Sequence, residues 1–382
     1  MKRIASMLLL MLCACSCEWF TPSEKDRQVL LVYIAGNNNI SSEGERDFET
    51  MRDSWLPETR NKEKIVLAYR DFAGQTPVLS RLSRSRKGVL EEEIIMEYPQ
   101  GTNSASSATL AAVLADAENA WPARYRGLIL WSHGSGFLPE GYYDNPQEKA
   151  SGASLRSFGY DEDTQAEMEL AALRDALSSR HYQFLLFDCC LMANVELAYE
   201  LRGVTDYILF SPTEILVDGF PYESMTEPLM TMSTEPALKS VATSYMNHYR
   251  AQSGSYRSAT VTVIRTEPLP SLAAACRPVF QAHHDQILTI DRSQIQPYFR
   301  SNKHWYYDLD DFVGRLASDS EYATFASALG RTVVFADATE QFLGIDMVHC
   351  CGLSVYIPRP EYTVLNNFYK TLDWNRDTGL VQ

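Results

Sequence analysis

Two apolar runs, RGLILWSHGSG (126–136) and HYQFLLFDCC (181–190), decide the fold of this chain. Neither run alternates apolar with polar residues, and such continuous runs are typical of strands covered on both faces of a parallel sheet. The first run ends in glycines. The second is followed directly by LMANVELAYELR (191–202), whose spacing predicts a helix. We therefore expect two buried strands of an α/β sheet, each ending in reactive residues.

The remaining elements alternate between strands and helices in the same way. The predicted strands lie at 28–36, 64–72, 206–215, 258–265 and 352–358, and the predicted helices at 43–55, 106–121, 167–180, 235–252, 270–288 and 308–330. This alternation predicts a mostly parallel β-sheet with helices on both faces. No linker splits the chain, so we expect one α/β domain over residues 28–265. A helical and mixed C-terminal extension, residues 266–382, is expected to pack on it.

The composition limits the classes of function. The formal net charge is −15, and no basic stripe offsets it, so nucleic-acid binding is disfavoured. Five of the eight cysteines lie beyond the N-terminal segment, and four of these five form the adjacent pairs 189/190 and 350/351, which rarely bond each other. The chain is therefore not a disulfide scaffold, and no cysteine pair has the two-residue spacing of a zinc site, so no metal site is predicted.

The N-terminus has the layout of a secretory signal peptide. Lys2 and Arg3 precede an apolar stretch, residues 4–12, that is too short to cross a bilayer, which requires roughly 20 residues. The chain is therefore predicted to be exported.

The end of this stretch, LCAC (12–15), resembles a bacterial lipobox, in which the last cysteine, here Cys15, is lipidated and becomes the mature N-terminus. Cys17 is a weaker candidate, because an alanine would then occupy the position that prefers leucine. We expect a lipoprotein signal peptide over residues 1–15, a polar tether over 16–27, and a lipid anchor in the bacterial cell envelope. The alternative is an ordinary signal peptide with unrelated cysteines.

His133 and Cys190 lie at the ends of the two apolar runs. Ligands of an open parallel sheet bind at the carboxyl ends of its strands, so these side chains face one crevice if the two strands are neighbours. An adjacent imidazole activates a thiol, and such a pair suits nucleophilic catalysis. Taken singly, a cysteine is more often a small buried residue and a histidine a structural group. The hypothesis rests on their joint occurrence.

The neighbours of the pair add four expectations. The helix predicted after Cys190 would stabilise its thiolate, and the N–H groups of Gly134 and Cys190 would bind an oxyanion. Adjacent strand residues point to opposite faces, so only one of Cys189 and Cys190 faces the crevice; chemistry favours Cys190 but leaves the choice open. From the residues alone, Asp188 is interpreted first as a cap of that helix and second as a carboxylate for a basic substrate side chain.

With these residues in view, the sequence resembles the clostripain family of cysteine peptidases, relatives of gingipain, caspase and legumain. VLLVYIAGNNN (29–39) is similar to the family's opening strand, and LILWSHGSGF (128–137) to its His motif. FGYDEDTQAEMELAALRDAL (158–177) is similar to its Asp-containing segment, and FDCCLMANVELAYEL (187–201) to its Asp-x-Cys motif. Supporting counterparts are VDGFPY, DLDDF and GLSVYIP. The resemblance covers most of the chain beyond the signal region. It implies a caspase-like α/β sheet and endopeptidase activity.

The resemblance also implies roles for individual residues. His133 and Cys190 would form the catalytic dyad, with Cys189 at the variable position of the Asp-x-Cys motif. Cleavage after Arg or Lys is implied, with Asp188 and the Asp218 of VDGFPY lining the specificity pocket. No cofactor is required by this chemistry, although some family members need calcium.

Some family members also cut themselves between the His and Cys motifs. Residues 137–165 of this chain are polar and lack periodicity, as exposed cut sites do, and the predicted cleavage points are Lys149 and, second, Arg156. The expected partners are peptide or protein substrates, with the membrane reached through the lipid anchor, and a monomer is expected. The alternatives are a catalytically silent surface lipoprotein that binds peptides or glycans, and a peptidase that prefers non-basic residues.

Overall fold

The computed structural model describes residues 27–139, 142–143, 158–164, 166–300 and 303–382. Within these residues the centre of the molecule is a nine-stranded sheet. From one edge to the other its strands are β12 (Val333–Ala338), β10 (Thr260–Arg265), β9 (Thr205–Phe210), β8 (Tyr182–Asp188), β5 (Tyr125–Trp131), β1 (Gln28–Gly36), β2 (Lys64–Phe72), β3 (Val78–Arg84) and β4 (Leu90–Glu97). The strands from β9 to β2 are parallel, and an antiparallel pair lies at each edge. The predicted α/β sheet is confirmed.

Helices cover both faces of this sheet. In chain order they are α1 (Ser41–Asp53), α2 (Ser107–Ala120), α3 (Leu170–Leu177), α4 (Val195–Glu200), α5 (Tyr222–Thr231), α6 (Thr234–Arg250), α7 (Leu269–Ala282), α8 (His284–Thr289), α9 (Leu309–Gly314), α10 (Asp319–Thr332), α11 (Thr363–Tyr369) and α12 (Asp373–Thr378). Three short strand pairs lie outside the main sheet: β6 (Phe158–Asp161) with β7 (Ala166–Met168), β11 (Tyr307–Asp308) with β15 (Ser354–Val355), and β13 (Gln341–Phe342) with β14 (Ile345–Asp346). None of the helices in the described part of the chain has the length and apolar character needed to cross a membrane.

Side chains of the central strands alternate between two apolar cores. In β1, Leu31 and Tyr33 belong to the core that includes residues of α2, α3, α4 and α7, while Leu30 and Val32 belong to the core formed with α1, α5 and α6. Burying such an apolar side chain stabilises the fold by about 1.5–3 kcal/mol. Because both faces of the strand are covered, apolar residues are favoured at every position of the run.

The C-terminal extension both packs on the sheet and contributes to it. Its strand β12 forms one edge, paired with β10. Behind β8, the Ser354 N–H donates to the Ala193 carbonyl at 2.9 Å. The buried Glu196 of α4 accepts hydrogen bonds from the Tyr356 N–H at 2.9 Å and the Tyr369 hydroxyl at 2.6 Å. Hydrogen bonds from the extension therefore fix the position of the segment that follows β8.

The chain departs from the sequence-based expectation just after β8. The helix predicted at 191–202 is confined to α4, because Asn194 caps it by accepting a hydrogen bond from an N–H of its first turn at 3.0 Å. The amide of Leu191 does not enter a helix and instead donates to the Thr213 carbonyl at 2.9 Å. The prediction that a helix begins directly after the strand is therefore wrong.

Several smaller elements were also not predicted. The hairpin β3–β4 extends the sheet beyond β2. The sequence does not predict β4, because three consecutive glutamates interrupt its apolar pattern. The pair β6–β7 lies where a loop was expected, and it delays the start of α3 to Leu170. The strand predicted at 352–358 is reduced to β15. These are short or edge elements whose partners lie far away in the sequence.

Candidate active site

A cavity of about 120 Å³ lies at the carboxyl ends of the parallel strands. Trp131, which ends β5, is the register partner of Asp188, which ends β8, so the two strands are neighbours that end at the same level. His133 and Cys190 follow these ends, and both line the cavity. A wider cleft of about 640 Å³ lies near Trp55, but no cysteine or histidine is among the described residues that line it. The smaller cavity is the one that contains reactive side chains.

Hydrogen bonds hold the His133 segment at the cavity wall. The His133 carbonyl accepts from the Gly159 N–H at 3.0 Å, and the adjacent Ser132 hydroxyl donates to the Ala35 carbonyl at 2.7 Å. His133 Nε2 lies 2.8 Å from Asn39 Oδ1. An amide oxygen only accepts hydrogen bonds, so this contact favours the neutral tautomer in which Nε2 carries the proton and Nδ1 is the basic nitrogen. The sequence places Asn39 only in a turn, and its contact with His133 depends on the tertiary structure.

Cys190 lies in a turn between β8 and α4. Its Sγ is 3.4 Å from Ile215 N and 3.7 Å from Ile215 O, so the thiol contacts the segment that follows β9. The next residue, Leu191, has a φ of +60°, a left-handed conformation that strains a residue with a side chain. The helix α4 begins only at Val195, so the expected stabilisation of the thiolate by a helix N-terminus is wrong.

Gly134 brings the His and Cys segments into direct contact. A Cβ at this position would lie 2.7 Å from the Cys190 carbonyl oxygen and 2.9 Å from both Cys189 Cβ and Met192 Sδ. Any side chain at this position would therefore collide with the backbone that carries the thiol. The glycine is therefore required for the close approach of the two segments.

Cys189 borders the same cavity but is held in the protein interior. Its side chain is 1% exposed, and its Sγ donates to the Leu130 carbonyl at 3.2 Å. Burial, followed by the negative charge of Asp188, raises the pKa of the Cys189 thiol well above its usual range. The thiol of Cys189 therefore stays protonated at neutral pH and packs as a small apolar group.

Asp188 is a buried carboxylate on the cavity wall. Its Oδ2 accepts a hydrogen bond from the Phe220 N–H at 3.4 Å, and burial raises its pKa, although hydrogen bonds from Phe220 and Tyr222 oppose the increase. It does not cap the helix after β8, because Asn194 does so. The capping interpretation of Asp188 is therefore wrong, and its carboxylate faces the cavity together with Cys190.

A second buried carboxylate, Asp47 of α1, lies on the same wall and was missed in the sequence. Its Oδ2 accepts a hydrogen bond from Trp131 Nε1 at 2.9 Å, and its ion pair with Arg46 is long, at 3.9 Å. Burial, followed by the negative charge of Asp188, raises the pKa of Asp47 well above its usual range. Several acidic residues surround Asp47 in the sequence, and no motif distinguishes it from them.

Asp218 lies beside the cavity rather than on its wall. Its side chain is 41% exposed, and its Oδ2 is 3.7 Å from His248 Nε2. The flanking residues Val217 and Gly219 line the cavity, whereas Asp218 is not among the described residues that do so. The structure therefore does not bring Asp218 to the wall that carries Asp188.

Four other residues predicted from the sequence, Cys15, Cys17, Lys149 and Arg156, lie outside the described residues. Among the described residues, no group of three or more His, Cys, Asp or Glu side chains is arranged to hold a metal ion. Calcium takes six to eight oxygen ligands, and backbone carbonyls and waters can be among them, so the calcium dependence of some family members stays an expectation for this chain.

Comparison with known proteins agrees with this geometry. A model of the clostripain family (Peptidase_C11) matches residues 32–377. No curated protein matches the chain. The inactive zymogen of a C11 protease from Parabacteroides distasonis is 28% identical with a TM-score of 0.80, and the match covers 94% of this chain and 99% of that one. A secreted C11 cysteine protease from Bacteroides thetaiotaomicron, solved with an irreversible peptide inhibitor, is 28% identical with a TM-score of 0.78, and the match covers 93% and 99%.

The family match includes the nine strands of the central sheet, apart from the first residues of β1, and the segments that end at the cavity. The two similar structures share this fold over almost their whole length. The chain therefore belongs to the clostripain family and is a cysteine peptidase with a caspase-like α/β sheet.

Proposed function

We propose that the protein is an exported endopeptidase that cleaves after Arg or Lys, with Cys190 as the nucleophile and His133 as its base. The observation that carries this proposal is that both side chains line one cavity at the ends of neighbouring strands. Asp188, a buried carboxylate, lines the same cavity and supports the preference for a basic side chain.

The proposed reaction is acyl transfer through a thioester. Nδ1 of His133 takes the proton of the Cys190 thiol, and Sγ attacks the carbonyl carbon of the scissile peptide. The N–H groups of Gly134 and Cys190 stabilise the negative charge on the carbonyl oxygen. The imidazolium then protonates the leaving amine as the C–N bond breaks. Finally, a water molecule that the imidazole deprotonates hydrolyses the thioester, which releases the carboxylic acid and restores the thiol.

The proposed specificity depends on acidic groups near the nucleophile. A carboxylate in a buried pocket binds Arg through two parallel hydrogen bonds or Lys as a point charge. Asp188 supplies this group. Asp218, which is half-exposed beside the cavity, and the net charge of −15 add a long-range attraction for cationic substrates.

The dyad is tested with reporter peptides that end in Arg, Lys or a neutral residue. Cys190→Ala is expected to abolish cleavage of all of them, while Cys189→Ala keeps it, because the Cys189 thiol is buried and protonated. The two variants form a matched pair that removes one thiol at adjacent positions. Activity that survives in Cys190→Ala and disappears in Cys189→Ala would contradict the assignment.

Self-cleavage is part of the proposal, since one of the similar structures is described as an inactive zymogen. We expect the active enzyme to cut itself after Lys149, with Arg156 as the second point. Mass spectrometry of purified protein after prolonged incubation measures the products, and Cys190→Ala is the uncut control. A wild-type chain that stays intact while it cleaves reporters would refute self-cleavage.

Export is supported by the signal-like N-terminus and by the similar protein that is described as secreted. We propose a lipid anchor at Cys15, with Cys17 as the alternative, and a monomer that acts on peptides or proteins outside the cytoplasm. Metabolic labelling with radioactive palmitate in a bacterial host tests the anchor. Cys15→Ala should lose the label and Cys17→Ala should keep it, and the reverse result would assign the anchor to Cys17.

A further inference from the structure

The cavity wall holds two buried carboxylates from different elements. Asp47 comes from α1 and Asp188 from the end of β8, and each is at most 5% exposed. Burying a carboxylate is costly unless it is paired or well hydrogen-bonded. Two such groups on one small cavity therefore indicate a ligand that pairs with both.

The two carboxylates converge on one point. A Cβ built on Gly219 would lie 3.1 Å from Asp188 Oδ2 and 3.2 Å from Asp47 Oδ2. Gly219 has a φ of +58°, which favours glycine, and its lack of a side chain leaves this space open. Both carboxylates therefore border the same space at the cavity wall.

The groups around the pair do not neutralise it. Arg46 on α1 is half-exposed and 3.9 Å from Asp47 Oδ1. Glu43 of the same helix lines the cavity, and Asp218 adds negative charge from the loop before α5. On α6, His248 lies 3.7 Å from Asp218 rather than beside the pair, and Tyr249 faces both carboxylates as an uncharged phenol. Tyr222 of α5 and the Trp131 indole offer only uncharged donors. The net field at the pair is negative and favours a cation.

Two neighbouring carboxylates cannot both ionise easily in a buried site. Burial raises the pKa of both Asp47 and Asp188, and the negative charge of Asp188 raises that of Asp47 further, so the pair retains a proton close to neutral pH. A bound cation favours the fully ionised pair and displaces that proton.

We propose that Asp47 is a specificity-determining residue that, together with Asp188, binds the guanidinium or ammonium group of the residue before the cleaved bond. This inference rests on the proposed preference for Arg or Lys. Asp47 lies outside the motif segments, on α1, and takes no part in bond cleavage.

The test compares an Arg reporter peptide with the same peptide carrying citrulline, its neutral isostere. Asp47→Asn is expected to lower the ratio of kcat/KM for Arg over citrulline about 10-fold or more, because a charge-assisted hydrogen bond is lost. Asparagine resembles the protonated aspartic acid in shape and keeps an acceptor for Trp131 Nε1, so the variant should fold. Asp53→Asn, the same change at an exposed position of α1 outside the cavity, is the matched control and should leave the ratio unchanged.

The outcomes separate the two proposals. A wild-type enzyme that cleaves Arg and citrulline peptides equally well would overturn the basic preference and this inference with it. A wild-type preference for Arg that persists in Asp47→Asn would overturn the role of Asp47 alone.

A second measurement needs no variant. The Arg-to-citrulline ratio of the wild-type enzyme should fall as the pH is lowered from 8 to 5, since protonated carboxylates do not attract a cation. Both reporters use the same dyad, so its titration cancels in the ratio. A ratio that stays constant across this range would contradict a paired carboxylate site.

Discussion

Replacing Gly134 by alanine tests whether the His and Cys segments must remain in direct contact. The added methyl group would lie 2.7 Å from the Cys190 carbonyl oxygen and 2.9 Å from Met192 Sδ. Heavy atoms pack best at roughly 3.5–4.0 Å, so the two backbones must separate by roughly 1 Å. A displacement of that size at a catalytic site lowers the rate by about 100-fold. We therefore expect kcat/KM to fall by about two orders of magnitude.

The same substitution should leave the protein folded. Overpacking a well-packed site costs about 1–3 kcal/mol, whereas a domain typically has about 5–15 kcal/mol of stability. Thermal unfolding followed by circular dichroism measures this cost, and an Arg reporter peptide measures kcat/KM. Gly203→Ala is the matched control, because Gly203 is exposed and a Cβ there meets nothing within 4 Å. It should change stability by less than about 0.5 kcal/mol and leave activity intact.

A Gly134→Ala enzyme with nearly wild-type kcat/KM would refute this reasoning. It would mean that the proposed Cys190 nucleophile does not depend on the contact between these segments, and that the oxyanion is bound elsewhere. A variant that loses activity only because it unfolds at the assay temperature would be recognised from its melting curve.

Three further predictions concern other parts of the molecule. Burial raises the pKa of Glu196 from 4.5 to about 7, so the folded protein holds a proton that the unfolded chain releases, and stability should fall as the pH rises from 4.5 to 7. Glu196→Gln keeps an acceptor for the Tyr356 N–H. At pH 8 its free energy of unfolding, measured with urea, should exceed that of wild type by on the order of 2 kcal/mol. A wild-type protein that is equally stable at pH 5 and pH 8 would contradict this prediction. Asn39→Ala removes the acceptor for His133 Nε2 and should lower kcat about 10-fold with little change in KM, whereas an effect on KM alone would argue against a positioning role. Gly219→Ala places a methyl group between the two cavity carboxylates, at a residue with a positive φ. It should lower kcat/KM for Arg reporters more than for citrulline reporters. An equal loss on both reporters would indicate backbone strain instead.

The sequence by itself predicted the parallel centre of the sheet and the pairing of His133 with Cys190 at its edge. The central stretches of β5 and β8, residues 127–131 and 184–187, are continuously apolar because both faces of a central parallel strand are buried, and this requirement is visible in the residues alone. Parallel strands end at one edge of a sheet, so residues that follow two such strands were expected to meet. His133 and Cys190 do line one cavity there. Hydrophobic periodicity and strand polarity are local properties, and sequence patterns therefore predicted both the strands and the residues that meet at their ends.

The tertiary structure decided what depends on distant partners. Cys190 lies in a turn rather than at a helix start, because the amide of Leu191 bonds to Thr213 beyond β9. Asp47 joins the site only through the packing of α1 against the strand ends, where Trp131 holds it. A carboxylate on an acidic helix looks like any solvated residue in the sequence. Only burial in the folded chain, beside a second carboxylate, gives it a distinct chemistry, since both desolvation and like-charge repulsion arise from neighbours that are remote in the sequence.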